Sequence, residues 1–443
     1  MDNREIEAQA ADSRSSLTPE GYRPRLIEKR LDALMKAFGC VEIAGAKWCG
    51  KTWTALSRCV SVTKLDRREE REAAEIDPDL ALLGGYPHLV DEWQEVPEVW
   101  DAIRRHIDDE GNKRGQFLLT GSSALSKTER EKVRHSGTGR IARLVMRPMS
   151  LVEMGDSSGS ISLKSLLQGS PLSPLRCETS LQDIARWCCR GGWPANIDIE
   201  DETAFETPRQ YIQSALDTNV ADEGKSPETA YALMKALALN ETQAVSYKTL
   251  NRDMSYGEPA HSASEETISS YLDLFHRLHL IEDQKGWEPP LRSKSRVRVK
   301  PKRYFVDPSL AAALLNATPS RLLKDTQTLG MLFENLVIRD LRVMLSTYAG
   351  LGTELSYYRD DKGLEVDAIM EYDGNWAGIE IKLSDAKADE GAANLIALRN
   401  KVLANPAARN SEPAFLAVVV GKSTLAYRRD DGVYVLPISA LGA

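Results

Sequence analysis

Eight residues near the start of the chain, Gly45-Ala46-Lys47-Trp48-Cys49-Gly50-Lys51-Thr52, have the types and spacing to hold a phosphate chain. They fit the pattern G-x-x-x-x-G-K-[ST]. In that pattern backbone N–H groups wrap the phosphates, the lysine reaches the β- and γ-phosphates, and the terminal hydroxyl holds Mg²⁺. Lys51 and Thr52 would take the last two roles. The flanks suit the motif: Val41-Glu42-Ile43-Ala44 reads as a short buried strand, and Trp53-Thr54-Ala55-Leu56 continues as a helix. A helix amino end aimed at phosphate adds N–H donors and a favourable dipole.

A second set of residues completes this chemistry. Pro87-His88-Leu89-Val90-Asp91-Glu92 reads as an apolar strand ending in two acids. Asp91 would hold Mg²⁺ through its shell, and Glu92 would take a proton from the attacking water. Gln116-Phe117-Leu118-Leu119-Thr120-Gly121-Ser122-Ser123 reads as another strand. Its polar end lies where ligands bind in open α/β sheets, so Thr120 or Ser122 would sense the γ-phosphate or act as a turn and helix cap. Arg140, in Gly137-Thr138-Gly139-Arg140, is a candidate transition-state arginine or a member of an ordinary salt bridge.

A third set lies far along the chain. Glu334 sits on an amphipathic helix over Gly330–Val337, and Asp367 interrupts an apolar strand over Leu364–Met370. After a turn at Asp373-Gly374-Asn375, Glu380 and Lys382 share one face of the strand Gly378-Ile379-Glu380-Ile381-Lys382. Glu334, Asp367 and Glu380 would bind Mg²⁺ through oxygen ligands, and Lys382 would orient or deprotonate a water. The same residues also suit a surface salt-bridge set, or an inactive relative of a nuclease.

The elements between these sets give the architecture. Leu181 to Cys189 and Thr203 to Asn219 read as helices flanking Gly191-Gly192-Trp193-Pro194. Further helices are expected at Ala230–Leu239, at Tyr247–Met254, and from a capping box at Ser262-Ala263-Ser264-Glu265. Ile268, Tyr271, Leu272, Phe275 and Leu278 recur on one helical face. The strands Leu280-Ile281-Glu282 and Arg303-Tyr304-Phe305-Val306 then make a ribbon. Three helices and a ribbon form a winged helix. Arg292, Lys294, Arg296, Arg298, Lys300, Lys302 and Arg303 follow one another with no acid between them. This basic ribbon, 292–303, is either a contact for DNA phosphates or a charged edge that discourages aggregation.

Composition bounds the rest. The chain has 443 residues, enough for several domains, and a net charge of −8 that argues against uniform coating of nucleic acid. Its six cysteines form no C-x-x-C pair or zinc spacing, which points to reduced thiols in a cytoplasmic protein. No apolar run is long enough to span a membrane. Residues 1–20 read as a disordered tail.

The order of motifs resembles that of AAA-type ATPases carrying a DUF4143 C-terminal region. The resemblance rests on Gly45–Thr52, on Val90-Asp91-Glu92-Trp93-Gln94-Glu95-Val96-Pro97 and on Leu119-Thr120-Gly121-Ser122-Ser123. Arg147-Pro148-Met149-Ser150 and Gly191-Gly192-Trp193-Pro194 add to it. It implies ATP as the nucleotide and an AAA+-like P-loop αβα core. Glu334, Asp367 and Glu380-Ile381-Lys382 resemble the PD-(D/E)-x-K nuclease superfamily, although no proline precedes Asp367; this implies a restriction-endonuclease-like α/β domain. The expected fold is therefore α/β and multidomain. A P-loop ATPase core spans 21–150, a helical lid or insertion region 151–220, a winged helix 221–306 and a DUF4143-type nuclease-like domain 307–443. The expected function is Mg²⁺-dependent ATP hydrolysis driving a winged-helix and nuclease-like module that acts on nucleic acid. The alternatives are an ATP-gated, metal-dependent nuclease and a non-cleaving nucleotide switch that binds a protein partner. No residue specifies an oligomeric state.

Overall fold

The computed structural model describes residues 15–121, 133, 136–255, 262–287, 300–348, 353–408 and 412–443. Ser122, most of the basic stretch (Arg292, Lys294, Arg296 and Arg298) and most of the expected tail lie outside the described residues. The chain divides into two units, Met1–Arg147 and Pro148–Ala443.

The first unit is built on a parallel sheet. Its strands are β1 (Cys40–Gly45), β2 (Ser61–Lys64), β3 (His88–Asp91), β4 (Phe117–Thr120) and β5 (Ile141–Met146), in the order β2-β3-β4-β1-β5. All the pairings are parallel. β3 and β4 are buried along their whole length, as expected of near-continuous apolar runs covered on both faces. One face packs Val99, Ala102, Ile103 and Ile107 of the helix Val99–Asp109 against Phe117 and Leu119. Those four positions form a helical stripe. The other face packs Ile27, Leu31 and Leu34 around Val41, Ile43 and Leu118. His88 is the first residue of β3 and is fully buried. Its ring lies 2.6 Å from Ser61 Oγ and 3.0 Å from the Ala81 carbonyl, and burial holds its pKa below the usual histidine value.

The second unit begins with helices. Leu181–Arg190 is followed by Glu206–Ser214, which runs into a π-helical turn at Ala215–Val220. The expected trio appears as Pro227–Leu239, Tyr247–Met254 and Glu265–Arg277. The cap of the third is Ser264, whose side chain accepts from the Thr267 N–H; Ser262 lies outside the helix. Two minor strands, β6 (Ile161–Ser162) and β7 (Leu175–Thr179), fall near or within the stretch of small residues and prolines that precedes these helices. Strands β8 (Ile281–Gln284) and β9 (Lys302–Phe305) pair antiparallel as a ribbon.

A larger sheet closes the unit. Its strands are β10 (Glu354–Arg359), β11 (Glu365–Tyr372), β12 (Asn375–Ser384), β13 (Phe415–Arg428) and β14 (Tyr434–Pro437), in that order, with β7 also pairing with β13. β10-β11-β12 are antiparallel, whereas β12-β13-β14 are parallel. The helix Ala388–Leu403 crosses between β12 and β13 and buries Ala392, Leu395 and Leu398 against Val418 and Leu416. The final strand, β15 (Leu441–Gly442), pairs with β6. A buried charge group ties the helical part to this region. Arg339, on the helix Thr326–Leu345, bonds Asp307 at 2.8 Å and Asp340 at 2.7 Å, and all three side chains are at most 1% exposed. Asp307 also accepts from the Gly192 N–H, and Asp340 from the Leu151 N–H. The Gly-Gly-Trp-Pro motif therefore has a packing role. A side chain at Gly192 would meet the Met149 carbonyl oxygen at 2.0 Å.

Candidate functional site

The phosphate-binding motif begins where β1 ends. Gly45 adopts φ +148, and a Cβ there would lie 2.0 Å from the Met146 carbonyl oxygen on the neighbouring β5. Only glycine lets the loop leave the sheet so close to that strand. Gly50, at φ +98, turns the loop into the helix Lys51–Leu56. That helix is six residues long, so its dipole adds less than a long helix would and the loop's own N–H groups carry the site. Lys51 is buried and donates to the carbonyls of Gly45 (3.0 Å) and Ala46 (2.8 Å). Cys49 is also buried, whereas Trp48 is about half exposed and left-handed, at φ +60.

β3 and β4 deliver the polar partners. The parallel register sets Asp91 beside Thr120, both at the carboxyl ends of their strands. Thr52 Oγ1 donates to Asp91 Oδ1 at 2.9 Å, and Thr120 donates to the same oxygen. Burial raises the Asp91 carboxyl above its ordinary range, partly offset by the two hydroxyls. Glu92 follows in a left-handed conformation, φ +54, rare for a residue with a side chain. Gln94 Nε2 donates to Glu92 Oε2 at 2.5 Å. The Thr52 hydroxyl and the Asp91 carboxylate converge as hard oxygen donors, so they fit a Mg²⁺ ion.

Two residues here escaped the sequence reading. Arg25 donates to the Cys49 carbonyl at 2.7 Å and to the Arg147 carbonyl at 2.9 Å, bracing the loop from behind. Gln94 is buried beside Glu92. Gln94 stands in the Val90–Pro97 motif with no role assigned to it there, and Arg25 carries no local signal.

Arg140 is not brought to this loop. Its backbone bonds Cys40, at the amino end of β1, and its guanidinium bonds Asp108 at 2.7 Å. Phosphate would lie at the other end of the strand, roughly 17 Å away at strand rise.

The third set does come together. Asp367 and Glu380 lie on the adjacent strands β11 and β12, and Glu334 faces them from the helix Thr326–Leu345. A cation already sits between Glu334 and Asp367. Lys302 Nζ lies 2.7 Å from Glu365, 3.1 Å from Glu334 and 3.7 Å from Asp367. Burial disfavours its charge, but the carboxylates outweigh that and hold the ammonium well above the usual lysine range. Lys382 pairs with Glu380 at 2.8 Å. Burial pushes the carboxyls of both Glu334 and Glu380 upward. Among the described residues no group of three or more His, Cys, Asp or Glu is arranged to hold a metal ion. The acids are instead paired with ammonium groups, Glu334 and Asp367 with Lys302 and Glu380 with Lys382.

The described part of the basic ribbon is neutralised in the same way. This holds for two of its residues: Lys302 is taken up by that cluster and Arg303 lies 3.5 Å from Asp283 across the ribbon, while Lys300 is exposed. The antiparallel register sets Arg303 opposite Asp283, whereas Lys302 lies opposite Gln284. No helix among the described residues is long and apolar enough to cross a membrane.

Three stretches match known family models. Residues 38–155 match an AAA domain, 181–321 a domain of unknown function, DUF8612, and 329–441 another, DUF4143. No curated protein matches the sequence. Similar solved structures include the Walker-type ATPase PABY2304 of Pyrococcus abyssi, at 12% identity and a TM-score of 0.36 over 69% of this chain and 99% of that one. They also include the Aeropyrum pernix ORC2 protein in ADPNP–ADP complexes, at 12% identity and 0.32 over 70% and 98%. DnaA of Aquifex aeolicus bound to AMPPCP matches at 12% and 0.24 over 56% and 84%. The chain carries an AAA domain around the parallel sheet that ends in the phosphate-binding motif, and a DUF4143 domain over the larger sheet.

Proposed function

We propose that the first unit binds ATP with Mg²⁺ and hydrolyses it, and that this cycle acts on the second unit. The observation that carries the reading is the convergence of Thr52 and Asp91 beside the Gly45–Thr52 loop, with Glu92 next in the chain. Lys51 would leave the carbonyls of Gly45 and Ala46 for the β- and γ-phosphates, and the loop N–H groups would hold the remaining phosphate oxygens. Thr52 and Asp91 would hold Mg²⁺, which, when bound, neutralises charge on the phosphates. Glu92 would accept the proton of the attacking water, steadied by the Gln94 amide. Thr120 would fix Asp91. Arg140 of the same chain is held by Asp108 at the far end of the sheet and is not assigned a role in this centre.

The experiment is direct. Lys51→Ala should lose ATP binding, and Glu92→Gln should bind ATP yet release phosphate at least about 100-fold more slowly. Phosphate release in both variants at the parental rate would overturn the assignment.

The second unit is read as a winged helix (Pro227–Arg277 with the β8-β9 ribbon) joined to a nuclease-like sheet in a cytoplasmic protein. Nucleic acid is the proposed object through Lys300 and the basic residues before it. A second reading, a nucleotide-dependent switch that grips a protein partner, is favoured by the acid pairing of Lys302 and Arg303, which leaves little of the described ribbon free for phosphate. An ATP-gated nuclease would need Glu334, Asp367 and Glu380 free to take metal. Filter binding of the full chain to duplex DNA, single-stranded DNA and RNA, with and without ATP, separates the two readings. Salt-sensitive binding supports action on nucleic acid; its absence on all three supports the switch.

A further inference from the structure

The nuclease-like centre differs from its expected chemistry in one specific way. Its carboxylates are arranged around an ammonium. Lys302 reaches them from the ribbon strand β9, with its side chain 4% exposed. It lies within 3.7 Å of Glu334, Glu365 and Asp367, which come from one helix and one strand of the larger sheet.

Most of the remaining oxygens also have partners. Tyr304 donates a second bond to the Glu334 oxygen that faces Lys302, at 2.9 Å. The Ile381 N–H donates to the other oxygen of Asp367 at 2.8 Å. Glu380 accepts from Lys382 on one oxygen (2.8 Å) and from Asn394 on the other (3.2 Å). Arg359 lies 3.6 Å from the outer oxygen of Glu365. A divalent ion would need several of these oxygens at roughly 2.0–2.6 Å in one shell. It would also need to displace a buried ammonium already neutralised by them, leaving that charge unpaired.

We propose that Lys302 is the resident cation of this cluster, standing where the nuclease-like sheet would otherwise take a divalent metal. The ribbon is thereby pinned to the sheet by its own lysine, and the centre holds no Mg²⁺ and cuts nothing by metal chemistry. The proposal is independent of the ATPase reading, since none of its residues belongs to the first unit.

The test is a Mn²⁺ titration of the nucleotide-free full chain, followed by the EPR signal of the free ion. Wild type and Asp367→Asn should retain the same amount of Mn²⁺. Lys302→Met should gain a site that Lys302→Met/Asp367→Asn lacks. Wild-type Mn²⁺ binding that Asp367→Asn abolishes would overturn the proposal. So would a folded Lys302→Met that takes up no additional ion. If Lys302→Met does not fold, the comparison of wild type with Asp367→Asn decides alone. As a second readout, wild-type cleavage of DNA or RNA that requires metal and is lost in Asp367→Asn would also overturn it.

Discussion

Thr52 Oγ1 and Asp91 Oδ1 are 2.9 Å apart, and Thr120 donates to the same carboxylate oxygen from the adjacent strand. Two hydroxyls from two elements thus aim at one atom. Asp91→Asn should leave the fold intact, because both hydroxyls can still donate to the amide oxygen. Phosphate release should fall about 100-fold, and the Mg²⁺ concentration for half-maximal rate should rise. Nucleotide affinity measured in EDTA should not change. The combination is diagnostic, since a folding defect would reduce all three.

Gln94 offers a subtler test. Its amide donates to Glu92, whose backbone is held left-handed. Gln94→Met keeps the volume and removes the donor. It should lower kcat about 10-fold with KM unchanged within about twofold, as expected for a group that positions a base and does not bind substrate. Steady-state kinetics checks this, and a KM that rises in step with the fall in kcat would contradict it.

Trp48 lies in the phosphate-binding motif and Trp53 in the helix that follows, and both are about half exposed. Adding ATP should change the tryptophan emission. Trp53→Phe should keep most of that change and Trp48→Phe should lose it. Emission spectra of the two variants decide which ring reports the occupied loop.

Arg339 and its two aspartates form a buried charged group with almost no exposure. Removing one partner of such a pair costs about 3–5 kcal/mol, because the other charge is left uncompensated. Arg339→Met should therefore lower the urea midpoint of the second unit sharply. Gly192→Ala should cost about 3 kcal/mol of stability through overpacking against Met149, lowering the same midpoint. Denaturation followed by tryptophan emission measures both.

Glu241 is buried and accepts from the Phe305 N–H at 3.0 Å and from Asn335 at 2.6 Å. Burial pushes its carboxyl up to about 8; the two donors and Arg342 oppose the rise, and Glu334 adds to it. The folded state therefore holds a proton that the unfolded chain releases near pH 4.3. Stability from this group is fully present below that pH and is lost as pH rises toward 8. Glu334 and Glu380 act with the same sign. Glu241→Gln keeps an acceptor for both donors. It should stabilise the second unit at pH 8 by a few kcal/mol and leave it little changed at pH 4. Urea midpoints at the two pH values test this.

The parts of the molecule legible in the sequence are those written in contiguous residues. A strand, a glycine turn and a helix start follow one another at Val41–Leu56, so local rules sufficed. Asp91 was placed correctly at a strand end because the apolar run before it has a clear limit. Of the two readings of Arg140, the salt bridge is the one present; its neighbours say nothing about strand direction, and in a parallel sheet the start of β5 lies away from the loop. Lys302 looked like one more exposed base in a basic stretch. Its acid partners lie 32, 63 and 65 residues later, on a helix and a strand whose approach no local pattern announces. Arg25 was invisible for the same reason, since it holds carbonyls at Cys49 and Arg147.

The Arg339–Asp307 pair also bears on where this chain can be divided. Asp307 belongs to the DUF8612 stretch and Arg339 to the DUF4143 stretch. Lys302 and Glu334 straddle the same gap, and β7, which precedes both stretches, supplies a strand to the final sheet. A fragment ending at residue 321 would carry a sealed carboxylate with no counter-charge, and one beginning at 329 would carry the orphaned guanidinium and an open sheet edge. Separate recognition of the two stretches therefore does not make them separate bodies: residues 148–443 close as one unit.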